Sequence, residues 1–166
     1  MLVDASPLIY LAKLEALDVF ATVGYEPLVT PAVERETSRA GLAYVYPDAA
    51  LISQGLRTGV LSRTQLTAAE ESVARRLGAE AGGLDPGEAE VLAAAATRSL
   101  PVLLFERRAL RLARSLGVEA WSPVRLLIDG TPDPAARVDR LTRFARLVQM
   151  RFEDLERLVG GIEEGR

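Results

Sequence analysis

Cysteine and histidine are both missing from the 166-residue chain. Without cysteine there is no disulfide framework, thiolate nucleophile or sulfur-ligated metal. Without histidine, Ser-His-Asp and Cys-His triads and nitrogen-ligated zinc sites are excluded as well. An enzyme built on this chain has to work with carboxylates, hydroxyls, arginines and a metal ion. Lysine is nearly absent too: Lys13 is the sole lysine among 20 basic residues. That imbalance, with abundant Ala, Leu and Gly, is what genome base composition alone can produce, and it carries no functional weight. No apolar run approaches the roughly 18 to 20 residues of a membrane span. The opening Met1-Leu2-Val3-Asp4 has neither a basic n-region nor a signal h-region. A cytoplasmic location with no membrane partner is therefore expected.

What is present is ordinary for one compact globular domain, with 49% apolar and 26% charged residues. The formal net charge of −3 argues against a broad nucleic-acid-coating surface while leaving room for a local basic patch.

Along the chain a unit recurs: a short apolar strand, an acid-bearing turn, then a helix. Met1 to Asp4 reads as a buried strand ending on an acid, and Ala5-Ser6-Pro7 opens a helix with Leu8, Leu11, Leu14 and Leu17 on its apolar face. Pro27 to Thr30 is a second strand, and Thr30-Pro31 starts a helix to about Ala40. Between Gly41 and Gly83 the pattern is weaker, with a strand or connector around Ala49 to Ile52 and a helix from Thr67 to Glu80 opened by the capping box Thr67-Ala68-Ala69-Glu70. Asp85-Pro86-Gly87-Glu88 begins an Ala-rich helix to about Arg98. Pro101 to Phe105 is a buried strand, Arg107 to Leu116 a helix stopped by Gly117, and Val118 to Trp121 a last strand. Apolar strands without alternation, separated by helices, predict a parallel sheet covered on both faces. Beyond a turn at Pro132 to Pro134, Val138, Leu141, Phe144, Ala145 and Val148 define an amphipathic helix, followed by another over about Phe152 to Val159.

In an open parallel sheet, ligands collect at the carboxyl ends of the strands, and acids stand at those places here. Asp4 ends the first strand, with the Ser6 hydroxyl two residues on; a helix N-cap is the competing role for both. Glu36 lies about 60° from the inward-facing Val33 and Glu34 about 100° on the other side, so Glu36 is the better inward candidate. Glu88 heads the stripe Val91, Leu92 and Ala95, whereas Glu90 faces the other way with Thr97. A carboxylate on a core-facing stripe needs a cation or a capping role, and Asp85 offers Glu88 the latter. Glu106 follows the strand that ends at Phe105; there the alternative is a first-turn acid complementing the helix dipole. Clustered carboxylates repel one another unless a cation sits among them, and oxygen-only ligation selects Mg²⁺ or Mn²⁺. Such ions activate water toward phosphorus without any histidine. Arg107, Arg108, Arg111 and Arg114 share one helix face opposite Ala109, Ala113 and Leu116. That face is either solvated or a set of phosphate contacts beside Glu106.

The order of these segments resembles the PIN-domain family, in particular its small prokaryotic VapC-like branch. Leu2-Val3-Asp4-Ala5-Ser6 is similar to the first motif, Pro31-Ala32-Val33-Glu34-Arg35-Glu36 to the second with its acid on Glu36, and Asp85-Pro86-Gly87-Glu88 to the third with its acid on Glu88. Leu103-Leu104-Phe105-Glu106 is similar to the fourth, where relatives often carry two aspartates instead of Phe105 and Glu106. The resemblance implies an α/β fold, a three-layer α/β/α sandwich with a central parallel sheet, over residues 1–130. Residues 131–166 would form a C-terminal helical extension packed on the same domain. It implies a metal-dependent endoribonuclease in which Asp4, Glu36, Glu88 and Glu106 hold Mg²⁺ or Mn²⁺, Ser6 orients water, and Arg107, Arg108 and Arg111 contact RNA. A role as the toxin of a toxin-antitoxin pair, with an antitoxin partner and a homodimer, also follows from it. The Phe105-Glu106 departure keeps open a catalytically degenerate module that binds RNA or protein. A haloacid-dehalogenase-like phosphatase would want an aspartate where Ser6 stands, and a dinucleotide-binding domain would want a glycine-rich turn where Ala5-Ser6-Pro7 stands.

Overall fold

Leu2, Val3, Val102 and Leu103 carry apolar side chains to both faces of their strands, and all four are fully buried. Such strands need cover on both sides, and helices supply it. The computed structural model describes residues 1–38, 46–79 and 83–163. Its strands are β1 (Leu2–Val3), β2 (Leu28–Val29), β3 (Ser62–Arg63), β4 (Val102–Leu103) and β5 (Ala120–Trp121). They form one parallel sheet in the order β3-β2-β1-β4-β5, with Leu2 opposite both Leu28 and Val102, and Leu103 opposite Trp121. Helices flank this sheet to give the expected three-layer α/β/α sandwich. From β1 the chain steps outward to β2 and β3, and from β4 it steps the other way to β5. The carboxyl ends of β1 and β4 thus border the crevice where connections diverge, the usual ligand position in this architecture.

The flanking helices are α1 (Ala5–Lys13), α2 (Val19–Thr22), α3 (Pro31–Ser38), α4 (Pro47–Thr58), α5 (Ala68–Ala79), α6 (Pro86–Arg98), α7 (Arg107–Ser115), α8 (Pro123–Asp129), α9 (Pro134–Leu147) and α10 (Phe152–Glu163). The α6 helix is buried almost all round, with Val91 through Ala95 without exposed surface. Its run of alanines lets β1, β4, α3 and α5 approach closely. One buried ion pair clamps α5 to α6. Glu70 closes the capping box by accepting from the Thr67 amide at 2.7 Å, and it also receives the Arg98 guanidinium at 2.7 and 2.8 Å. Those bonds from Arg98 hold the Glu70 carboxyl down at about 2. At the other end of the molecule Arg140 of α9 forks onto both oxygens of Asp18 at 2.9 Å, and Leu141, Phe144, Ala145 and Leu155 join the common core. Gly130 is required where α8 meets α2, because a Cβ there would lie 2.6 Å from Val19 Cβ.

Several expectations change. Ala49 to Ile52 is not a strand or connector but the middle of α4, where Ala49, Ile52 and Leu56 are buried at helical spacing. A four-residue apolar window fits either period, and only the burial over three turns separates them. The third strand is instead Ser62–Arg63, a polar edge strand with no apolar signature. Residues 123–129, between the last strand and the Pro132 turn, form α8, whose Ser122 hydroxyl accepts from the Arg125 amide. Val138 is 65% exposed, because the apolar stripe of α9 runs further than the surface available to cover it; Leu116 is exposed as well. The expected helix ends at Ala40 and Glu80 lie outside the described residues. Among the described residues no helix is long and apolar enough to cross a membrane.

Candidate metal centre

Asp4 is held at the crevice by the sheet itself, its amide donating to Leu103 O at 3.1 Å. The residue occupies the N-cap position of α1 with extended backbone, yet its side chain makes no capping hydrogen bond. The capping role that competed for Asp4 is thus unused. At the start of α6, Asp85 does cap: its Oδ1 accepts from the Glu88 amide at 2.8 Å. One residue before Glu88 stands Gly87, and its missing side chain is what opens the site. A Cβ at Gly87 would meet Asp85 Oδ1 at 3.3 Å, Glu36 Oε2 at 3.3 Å and Asp4 Oδ1 at 3.5 Å. Three carboxylate oxygens within 3.5 Å of one point are within 7 Å of one another.

Two contacts of neighbouring acids anchor α3, the helix that carries Glu36. Glu34 turns outward to fork Arg63 of β3 at 2.9 and 3.1 Å. Glu90, on the opposite side of α6 from Glu88, accepts from the Ala32 amide at 2.7 Å and so caps α3 from a separate helix. A carboxylate at a helix N-terminus is favoured by the dipole, and here it also fixes how α3 meets α6.

The price of this convergence appears in proton affinity. Asp4, 4% exposed, has its carboxyl pushed up from 3.8 to about 7, chiefly by burial, with repulsion from Asp85, Glu88 and Glu36 adding to it and the Ala5 amide opposing. Glu88 is also buried, and its carboxyl is raised by burial and then by Asp85 and Glu106, against the Asp85 amide and Arg108. Glu106 stands exposed at the N-cap of α7 without a capping bond; burial raises the Tyr10 hydroxyl, and the Glu106 charge adds to that rise and to the one at Glu88.

Asp4, Glu36 and Asp85 are thus gathered over Gly87, the Glu88 and Glu106 charges act on this group from beside it, and Asp85 is a fifth acid, expected from the sequence only as a cap. The signal was available: Asp85, like Asp4, is the last residue before a helix on the carboxyl side of the sheet. Among the described residues no three acids stand at ligand distance from a common point. To hold an ion, these side chains would rotate inward over Gly87. Their all-oxygen chemistry and mutual repulsion fit Mg²⁺ or Mn²⁺, and the glycine leaves room for the ion. Ser6 is half-buried in the first turn of α1, and Arg107, Arg108 and Arg111 are exposed on α7. Phe105 is turned into an aromatic group, edge-on to Tyr10 at 5.1 Å and to Phe144 at 6.2 Å.

A family model described as a PIN domain matches residues 1–131. A search of curated proteins finds no match to the chain.

Proposed function

The chain belongs to the PIN-domain family, and from that premise we propose that it is a Mg²⁺- or Mn²⁺-dependent endoribonuclease. The observation that carries this reading is the crowding of Asp4, Glu36 and Asp85 oxygens over Gly87, with buried Glu88 alongside. Asp4, Glu36, Asp85 and Glu88 would hold the ion, and Glu106 would reach it from the exposed side. When bound, the ion supplies an activated water and neutralises charge on the phosphate. The Ser6 hydroxyl, in the first turn of α1, would donate to a water or a phosphate oxygen at this site. Arg107, Arg108 and Arg111 draw in and position the RNA backbone. In the VapC-like form of this reading the chain is the toxin of a pair, silenced by an antitoxin encoded beside it.

The test is cleavage of single-stranded RNA in Mn²⁺, compared between the natural chain, Asp4→Asn and Glu88→Gln. Loss of cleavage by a factor of 100 or more, on the order of the roughly 3 kcal/mol such charge-stabilising groups contribute, is expected in both variants. Cleavage that needs Mn²⁺ yet proceeds at the natural rate in Asp4→Asn refutes the assignment. A second reading, RNA or protein binding without catalysis, is favoured by the aromatic Phe105 where relatives often carry an acid. It predicts no Mn²⁺ binding by calorimetry and no cleavage with any metal.

A further inference from the structure

The α7 helix carries Arg107, Arg108, Arg111 and Arg114 and no acid. Several arginines on other elements are held by acids: Arg63 by Glu34, Arg98 by Glu70 and Arg140 by Asp18. Among the described residues Arg107, Arg108 and Arg111 form no ion pair at contact distance, so α7 presents a positively charged face to solvent. Beneath these three lies a groove of about 580 Å³ between α7, the start of α8, and residues of α9, α10 and the link between them. Its floor is apolar, with Phe105, Val124, Phe144, Met150 and Leu158, and its rim is Glu106 and the three arginines. Leu158 is 42% exposed there, which leaves apolar surface for an incoming group to cover. Glu106 lines the groove and, as the N-cap of α7, follows β4, whose carboxyl end borders the crevice of the acid cluster, so the groove's Glu106 end lies on the acids' side.

An occupant has to combine flat apolar parts with closely spaced negative charge. The volume falls within the roughly 300 to 1,000 Å³ of small-ligand sites, a concavity that suits a nucleotide rather than the long trough a helix requires. We propose that the groove is a nucleobase subsite: it takes an unstacked base of single-stranded RNA next to the phosphate presented to the acids, with Phe105 as its aromatic wall and Arg107, Arg108 and Arg111 on the flanking phosphates. Phe105 then has a function in place of the acid that relatives often carry, since aromatic and arginine surfaces are what splayed bases stack upon. The subsite rests on the ribonuclease reading above.

The test is binding of short fluorescein-labelled single-stranded RNAs, each with one abasic position, to the full chain in Ca²⁺ by anisotropy. The natural chain should show one position at which losing the base weakens binding about tenfold. In Leu158→Glu, an exposed site where folding tolerates the change, and in Phe105→Ala, that position-specific loss should shrink to about twofold or less. Arg111→Gln should weaken every RNA alike and lower the salt dependence by about one counterion. Thermal melts verify that each variant is folded. A position-specific loss that persists undiminished in folded Leu158→Glu overturns the subsite, as does its absence from the natural chain. If Mn²⁺-dependent cleavage is nonetheless intact, only the subsite has failed; if cleavage and RNA binding are both absent, the ribonuclease reading fails with it.

Discussion

Replacing Asp4 with asparagine should make the metal-free protein more stable at alkaline pH while abolishing its response to Mn²⁺. The Asp4 carboxyl titrates at about 7 in the fold against an ordinary 3.8. A group whose folded-state value is raised holds its proton more tightly when folded, so stability falls as pH climbs through that window and is lowest above about 7. About three pH units at about 1.36 kcal/mol each set a ceiling near 4 kcal/mol. Relaxation of the carboxylates away from one another reduces this, and about 2 kcal/mol is the expected gain for Asp4→Asn at pH 8. Asparagine keeps the volume, and its amide can donate to the surrounding acids. At pH 4 the folded natural chain is already neutral at this position, so the two proteins should differ little. Urea denaturation in EDTA, followed by the fluorescence of buried Trp121, reads both values. Adding Mn²⁺ at about 100 times its dissociation constant should stabilise the natural chain by about 2.7 kcal/mol and the variant hardly at all. An Asp4→Asn protein that is less stable than the natural chain at pH 8 without metal would show that Asp4 is not held against burial and repulsion.

Three further outcomes follow from particular contacts. Gly87→Ala places a methyl 3.3 Å from two carboxylate oxygens in a backbone that accepts alanine; calorimetry should record Mn²⁺ binding weakened about tenfold, near 1.4 kcal/mol, with unfolding hardly altered. Arg98→Leu strands the buried Glu70 carboxylate and should cost about 3 kcal/mol at neutral pH. Because Arg98 depresses Glu70 from 4.5 to about 2, that cost is full above about pH 4.5 and disappears as pH falls through about 2, which acid titration of the two proteins checks. Gly130→Ala drives a Cβ into Val19 at 2.6 Å and Leu126 O at 2.8 Å; a loss of about 2 kcal/mol in denaturant is expected, and an unchanged midpoint would mean that α2 and α8 yield freely.

How much was legible in the chain varies by element. Strands β1 and β4 were readable because both of their faces are buried, which writes an unbroken apolar run. The edge strand Ser62–Arg63 was not, since an edge with polar cover leaves no such run. The helix starts at Pro31, Pro86 and Arg107 were readable from caps and prolines. The placement of Ala49 to Ile52 failed because its apolar spacing is too short to distinguish two periods. Asp85 was hidden by its own success as a cap, one oxygen serving the Glu88 amide while facing the cradle.

Taken alone, the sequence restricted the available ligand chemistry and placed the strands and helices whose burial or caps leave a local pattern. The absence of histidine and cysteine restricts metal ligation to oxygen, and local periodicity and capping are decided within a few residues of backbone. Tertiary structure decided which acids meet. The pairing of β1 with β4 joins residues about one hundred positions apart in the chain, and the burial that drives it is non-directional and leaves no local mark. That pairing sets Asp4 beside Gly87, turns Phe105 toward Tyr10 and Phe144, and leaves the arginines of α7 unpaired above an apolar groove.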